Sequence, residues 1–389
     1  MNRFLNILAF VCFSTTLFTR ATDPVIPQIA AALAVEPATA ALLSTGFALP
    51  YALVQPVLGA LADMLSKTRL MTICMVVLVV ATVVGGMATD FHVLMVTRVI
   101  AGLAGGGVFP IALAVAGDRV PVAQRQVAIG RLLFAAMSGN LLGAFGAGVI
   151  GDLIGWRGVF FVMALIGLVG VIAAVRGFRD DPDAAPGRFD LSSLGPNYRT
   201  IFGNPLAKIC YGAVLLEALF LFGIFPHMAA LLQADGETRA SIAGLVIAGF
   251  GIGGIVYTFM VSWLLATIGE RRLMLSGGAV MAFCLLAIAL RLSWPWEFAI
   301  FMLAGFGFYL LHGIIQIYAS ELAPAARGST MALHSCFFFL GHAAGPVVYS
   351  VGIAGVGLTP VLLTGAASLV AVGIICARRL RRPAAPIKN

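Results

Sequence analysis

The chain has 389 residues, of which 61% are hydrophobic and only 10% charged, against roughly 45–50% and 25% in soluble domains, and this excludes an ordinary soluble fold. The net charge of +8 would suit a nucleic-acid surface, but its placement in alternate loops excludes that reading. The six cysteines (Cys12, Cys74, Cys210, Cys284, Cys336 and Cys376) all fall in apolar runs without C-x-x-C spacing, so neither a disulfide framework nor a zinc knuckle is expected.

Apolar runs long enough to cross a hydrocarbon layer of roughly 30 Å as helices recur along the whole chain. Cutting at polar turns predicts twelve spans: 4–30, 40–61, 70–88, 92–117, 127–150, 158–175, 207–231, 241–267, 273–290, 298–319, 329–350 and 356–377. The first resembles a signal peptide in its basic start and apolar middle, but no small-residue cleavage site follows, so it reads as span one. One set of alternate loops holds Arg3, Lys67, Arg69, Arg119, Arg125, Arg176 and Arg179, and later Arg271, Arg272, Arg327, Arg378 and Arg379; the other holds only Arg157, Arg239 and Arg291. The positive-inside rule then places both termini in the cytoplasm. The expectation is a monomeric, multi-pass protein of a bacterial inner (plasma) membrane, with lipid as its surroundings and no nucleic-acid partner.

The longest polar stretch, 176–206, is rich in Pro, Gly and Asp and reads as a cytoplasmic linker with room for a short surface helix near Asp190 to Leu194. It divides the chain into 1–175 and 207–389, and these halves are related. Gly46-Phe47 recurs as Gly249-Phe250, Arg69-Leu70-Met71 as Arg272-Leu273-Met274, Gly102 as Gly305 and Pro121 as Pro324, each 203 positions on. Beyond Pro121 the offset drops by one, so Gly139 and Gly143 meet Gly341 and Gly345. A parallel repeat of six spans predicts an all-α membrane protein of two pseudo-symmetric six-helix bundles. Substrate would bind between them near the midplane, and rocking of one bundle on the other would give alternating access.

The motifs inside this repeat resemble those of the major facilitator superfamily along essentially the whole chain. Between spans two and three, "GALADMLSKTR" matches that family's loop motif at Gly59, Asp63, Lys67 and Arg69, with Ser66 and Thr68 departing from it. The resemblance implies a cytoplasmic latch between the bundles, with Asp118 and Arg119 at the end of span four as candidate members; a carboxylate at a helix start beside guanidinium groups is a breakable lock. The alternative for Asp63 is a plain topology charge. In span four "RVIAGLAGGG" is similar to the motif of an Arg with Gly four residues on, matched by Arg98 and Gly102. That Arg is associated with proton transfer in coupled members; the bland alternative is a structural ion pair. In span five "GNLLGAFGAGVIG" resembles the glycine motif of the drug and metabolite antiporter branch through Gly139 and Gly143, but Ala144 stands where that branch has Pro, and Gly345-Pro346 supplies the missing pair in the other half. Small residues of this kind allow close helix contact in lipid.

Charges in apolar spans are the sharpest functional signal, because each costs about 2.5 kcal/mol or more at the bilayer centre. Arg20 and Asp23 lie three apart, on one helical face, just before Pro24 and Pro27. Asp23 and Arg98 each fall roughly 10 Å from the outer ends of their spans at the helical rise, so Asp23 is expected to face Arg98 or Arg20 and to exchange a proton as the bundles rock. A carboxyl group that alternates between a guanidinium and an apolar site converts motion into proton uptake and release. The prolines would interrupt the helix beyond the pair; the alternative is that Asp23 ends the helix in the headgroup zone. Glu217 stands mid-way along span seven with no basic residue within a turn, and reads as a proton carrier, an anchor for a cationic substrate, or a protonated acid hydrogen-bonded to a neighbouring span.

The cavity-lining candidates are Phe47, Tyr51, Gln55 and Asn140 in the first half. In the second they are Phe220, Phe225, His227, Tyr257, Tyr309, His312, Gln316, His334 and Phe338. Aromatic walls with few polar groups suit an amphipathic or aromatic organic solute better than a sugar. Met71, Cys74 and Met75 share one helical face, as do Met331 and His334, which admits soft-metal transport as a minor reading. No nucleophile elbow, H-E-x-x-H or phosphate loop is present, so an enzyme is not expected, and no cofactor or bound metal. The leading expectation is proton-coupled efflux of small organic compounds, and the alternative is proton-coupled import of a nutrient, cofactor or metal ion.

Overall fold

A computed structural model describes residues 2–57, 66–179 and 194–380. The crossing helices are α1 (Asn2–Arg20), continued past a 3-10 turn at Asp23–Val25 by α2 (Ile26–Ala32), then α3 (Pro37–Val54), α4 (Lys67–Gly86), α5 (Phe91–Arg119) and α6 (Val122–Gly177). After the short α7 (Leu194–Gly203) come α8 (Pro205–Phe222), continued by α9 (Phe225–Ala234), then α10 (Ala240–Thr267), α11 (Glu270–Ile288), α12 (Trp294–Ser320), α13 (Arg327–Val356) and α14 (Leu358–Arg379). Eleven helical segments among the described residues are long and apolar enough to cross a membrane. One of them carries two of the twelve predicted spans, because Gly155 inside α6, at φ 75° and ψ 173°, is not helical. Only glycine adopts that conformation without strain. The chain reverses there: Gly143 on the first leg abuts Leu17 and Gly167 on the second abuts Phe18, while Gly139 and Gly170 both reach one turn further back along α1.

Local chemistry sets the helix starts. Asp90 accepts from the backbone N–H groups of His92 and Val93, Ser66 from that of Arg69, and Asn204 from that of Leu206, each satisfying donors that a helix N-terminus leaves open. Within the apolar helices, hydroxyls turn back to carbonyls one turn earlier, as Ser14 does to Phe10, Thr15 to Val11 and Thr82 to Leu78, so they cost little in lipid. Large apolar side chains such as Phe259, Leu153 and Trp263 stand outward and exposed, as a hydrocarbon surround requires. The linker helix begins at Leu194; the predicted Asp190 start lies outside the described residues.

The duplication seen as a sequence offset recurs as packing. A side chain at Gly102 would strike the Phe47 carbonyl, and one at Gly305 the Phe250 carbonyl. Gly139 and Gly143 press on the backbone of Phe13 and Leu17, as Gly341 and Gly345 do on that of Leu215 and Leu219. In each half, therefore, the second and fourth crossings meet, and so do the first and fifth, at the same register. Between the halves, α3 packs on α13 and the first leg of α6 on α10.

Twelve crossings return α14 to the end at which α1 starts. At the opposite end, here called outer, the halves are closed on each other. Asp152 of α6 accepts from the N–H groups of Ala240 at 2.7 Å and Ser241 at 2.9 Å, Thr45 donates to the Ala343 carbonyl at 2.7 Å, and Ser350 donates to that of Ala38 at 3.2 Å. Nearer the termini, the rings of Tyr51 and Phe339 approach to 4.0 Å, and the Tyr198 hydroxyl donates to the Pro56 carbonyl.

Candidate functional site

The break between α1 and the turn at Asp23–Val25 builds the first charged group. Pro24 and Pro27 lack the N–H groups a continuing helix would use, so α1 stops at Arg20 and Asp23 drops into the protein, fully buried. Arg20 Nη1 lies 3.2 Å from Asp23 Oδ2, and Ser44 of α3 donates to Oδ1 at 2.6 Å. The Arg20 guanidinium sits over the rings of Phe225 at 4.5 Å and Phe222 at 4.9 Å, within cation–π range. These two rings belong to the other half, so the ion pair stands on the junction. They are also its repeat mates: Phe222 follows Arg20, and Phe225 follows Asp23, by 202 positions. One half places ions where the other places phenyl rings.

Of the two arginines the sequence offers to Asp23, Arg20 makes the salt bridge. Arg98 is buried with its guanidinium 4.4 Å over the Phe47 ring and Nη2 3.5 Å from the Phe18 carbonyl, while its Nε has no partner among the described residues.

Glu217 forms the second group, and its hydrogen-bond partner comes from a neighbouring span, as one of the three sequence readings of it allowed. His312, 95 residues further on in α12, brings Nδ1 to 2.9 Å from Glu217 Oε2. Spacing on one helix cannot reveal a partner on another. Among the described residues Oε1 of Glu217 has no partner, nor do Nε2 of His334 and Nδ1 of His342. The His312 ring stacks on Phe308 at 4.5 Å and meets His334 edge-on at 5.0 Å. Phe338 stands 5.4 Å from His312 and 5.3 Å from Phe222, joining this group to the rings around Arg20.

The other cavity candidates divide. Phe225 and Tyr309 belong to one aromatic cluster through Phe250, and Tyr257 stacks on Tyr309 at 5.9 Å. Tyr51 meets the other half through Phe339. Asn140 bonds the Ala136 carbonyl of its own helix at 3.3 Å, and Gln316 is exposed. Three fall elsewhere. Gln55 is buried and donates to the Gly106 carbonyl, tying α3 to α5 inside one bundle. Phe220 turns to Gly365 on α14, since two residues of helix rotate a side chain about 200° away from Phe222. His227 meets the Pro346 carbonyl at 3.3 Å and stacks on Tyr349, a contact within the second bundle.

In the expected latch, Gly59 and Asp63 lie outside the described residues. Lys67 pairs with Asp118 at 2.6 Å, Arg119 lies 5.4 Å over the Phe4 ring, and exposed Arg69 gives its backbone N–H to Ser66. The Lys67–Asp118 and Arg119–Phe4 contacts join parts of the first half. An acid that does bridge the halves, Asp152, was not among the expected latch residues; its only signal was a carboxylate at the outer end of the span-five glycine stripe. Ser44 was missed as well, for want of any signal beyond its place on an apolar helix.

This arrangement, two repeats closed around buried ions, can be set beside known proteins. The sequence profile described as Major Facilitator Superfamily matches residues 8–346 and again 209–389. The chain belongs to that superfamily. Quinolone resistance protein NorA of Staphylococcus aureus is 24% identical over 352 residues, covering 90% of this chain and 89% of NorA. The uncharacterized MFS-type transporter YfhI of Bacillus subtilis is 25% identical over 266 residues, 66% of this chain and 64% of YfhI. A bacterial homologue of the human lysosomal transporter Spinster, solved in an inward-facing and unoccupied conformation, superposes with a TM-score of 0.67 at 17% identity, over 96% of this chain and 94% of that one. The protein is thus a multi-pass membrane transporter of the major facilitator fold.

Proposed function

We propose that this superfamily member is a proton-coupled exporter of small amphipathic or aromatic organic compounds, working by alternating access between its two halves. The observation that carries the reading is the Arg20–Asp23 pair, buried on the junction and covered by Phe222 and Phe225 of the opposite half. Opening the outer end separates Arg20 from those rings and lets water reach the carboxylate. Closing it restores a dry ion pair. Glu217 and His312 provide a second hydrogen bond through which one proton can be held or passed, with His334 next in line. The aromatic cluster from Phe222 to Tyr309 gives a flat or greasy solute faces to lie against. The likeness to NorA over nine-tenths of the chain supports export over the alternative of nutrient, cofactor or metal import.

Expression in a bacterium stripped of its own drug pumps tests this. Accumulation of quinolones and of lipophilic dyes should fall relative to an empty-vector strain, and an uncoupler that collapses the proton gradient should restore it. Accumulation that rises with expression would favour import, and efflux indifferent to the uncoupler would remove proton coupling.

A further inference from the structure

We infer that the chain carries a site for an anionic phospholipid, along α1 between the two legs of α6, with the lipid phosphate held by Arg3, Arg131 and Arg176. Two grooves of about 540 and 640 Å³ adjoin there and share Asn6 and Phe10 of α1. The first leg of α6 supplies Val127, Arg131 and Phe134, and the second supplies Val169, Ile172 and Arg176. Apolar side chains and aromatic rings form the floor, including Phe10 and Phe13 stacked at 6.2 Å. No acid lines either groove. Arg3, Arg131 and Arg176 are exposed, and among the described residues none of them is ion-paired.

The groove faces sideways and not into the junction. Residues of the second half line no part of it. On the first leg of α6, Arg131, Leu142 and Leu153 are spaced by eleven residues, about three turns, and so share a face; Leu142 is 44% and Leu153 76% exposed. The contacts of that leg with α10 use another face, through Leu141, Ala144 and Gly148. A groove on the hydrocarbon-facing side accepts acyl chains.

Position and charge select the headgroup. Arg3 opens the first span, Arg176 closes the sixth, and Arg131 sits early in the fifth, so all three gather toward the end that holds the termini, which the arginine distribution assigns to the cytoplasmic leaflet. Guanidinium groups grip phosphate oxygens in a planar fork. Three of them without a counter-ion are balanced by a lipid of net negative charge and not by a zwitterionic one, and basic pockets between helices on this side of a membrane are suited to anionic headgroups.

Native mass spectrometry of the purified full chain in detergent, titrated with dioleoyl phosphatidylglycerol or dioleoyl phosphatidylcholine, tests the site. The anionic lipid should bind more tightly by roughly fivefold per arginine. The paired change Arg131→Gln/Arg176→Gln should weaken phosphatidylglycerol by roughly 25-fold and leave phosphatidylcholine unchanged. The exposed pair Arg271→Gln/Arg272→Gln in the other half should alter neither. Equal binding of the two lipids by the unaltered protein overturns the proposal, as does an equal loss in the Arg271/Arg272 control. Displacement of the lipid by excess glycerol phosphate would reduce the site to a phosphate contact and overturn the role of the groove.

Discussion

Asp23→Asn removes the negative charge from the junction while keeping an oxygen for Ser44. The pair it breaks is dry, with side-chain exposures of 8% for Arg20 and 1% for Asp23, and the two groups lie 3.2 Å apart. Removing one partner of such a pair leaves an uncompensated buried charge and costs about 3–5 kcal/mol. The Ser44 hydrogen bond survives because asparagine still accepts, so the loss falls on Arg20. Arg20→Leu should cost a similar amount by stranding Asp23, and Arg20→Leu/Asp23→Leu should cost less than the sum of the two, because no orphan charge remains. The shortfall expected of directly bonded groups is about 1–3 kcal/mol. Reversible unfolding of the purified protein in mixed micelles, titrated with a denaturing detergent, measures all three changes. Single changes costing under about 1 kcal/mol, the range of exposed ion pairs, or costs that simply add, would refute the burial and the pairing together.

Other outcomes follow from the packing. Asp152→Ala deletes an acceptor that caps α10 across the outer junction. A lost cap is worth about 0.5–2 kcal/mol, so spin labels at the outer ends of α3 and α13 should report a larger open fraction, and an unchanged distance distribution would deny the latch. Gly102→Ala and Gly305→Ala each drive a methyl group into a carbonyl of the neighbouring helix. Overpacking of this kind costs about 1–3 kcal/mol, and both variants should melt lower than the unaltered protein by similar amounts if the two halves are equivalent. Glu237, in the outer loop, is held below its ordinary value of 4.5 chiefly by the hydrogen bond from Arg239. A depressed carboxyl contributes stability above its unfolded value and loses it as pH falls through the folded one. The melting difference between the unaltered protein and Glu237→Gln should therefore be present at pH 6 and vanish as pH drops below 4.5; a difference that persists in acid would exclude this ion pair as its source.

The spans, the duplication and the close helix contacts were legible in the chain because they rest on local hydropathy and on glycine spacing. Gly102 and Gly305 are small for one reason, a carbonyl in their path, and the constant offset recorded it. What escaped lay between helices. His312 as the partner of Glu217 is 95 residues distant, and no periodicity on α8 points to it. Phe220 was chosen where Phe222 faces the site; the register of 202 that pairs Phe222 with Arg20 shows in the glycine contacts of Phe13 and Leu215 and of Leu17 and Leu219, and not in the offset of 203 read before Pro121. The family loop motif drew attention to the end that holds the termini, whereas the hydrogen bonds across the outer junction come from Asp152, Thr45 and Ser350. Their polarity is unremarkable in sequence, and they become a seal only when the halves meet.

Coupling of the buried acids to transport is the claim on which the rest depends. Its most direct test is proton flux into proteoliposomes evoked by a transported compound, measured with an internal pH-sensitive dye for the unaltered protein, Asp23→Asn and Glu217→Gln. The account predicts substrate-evoked proton movement in the unaltered protein and its loss in at least one variant that remains folded and still binds the compound. Transport with intact proton movement and unchanged pH dependence in both variants would contradict it.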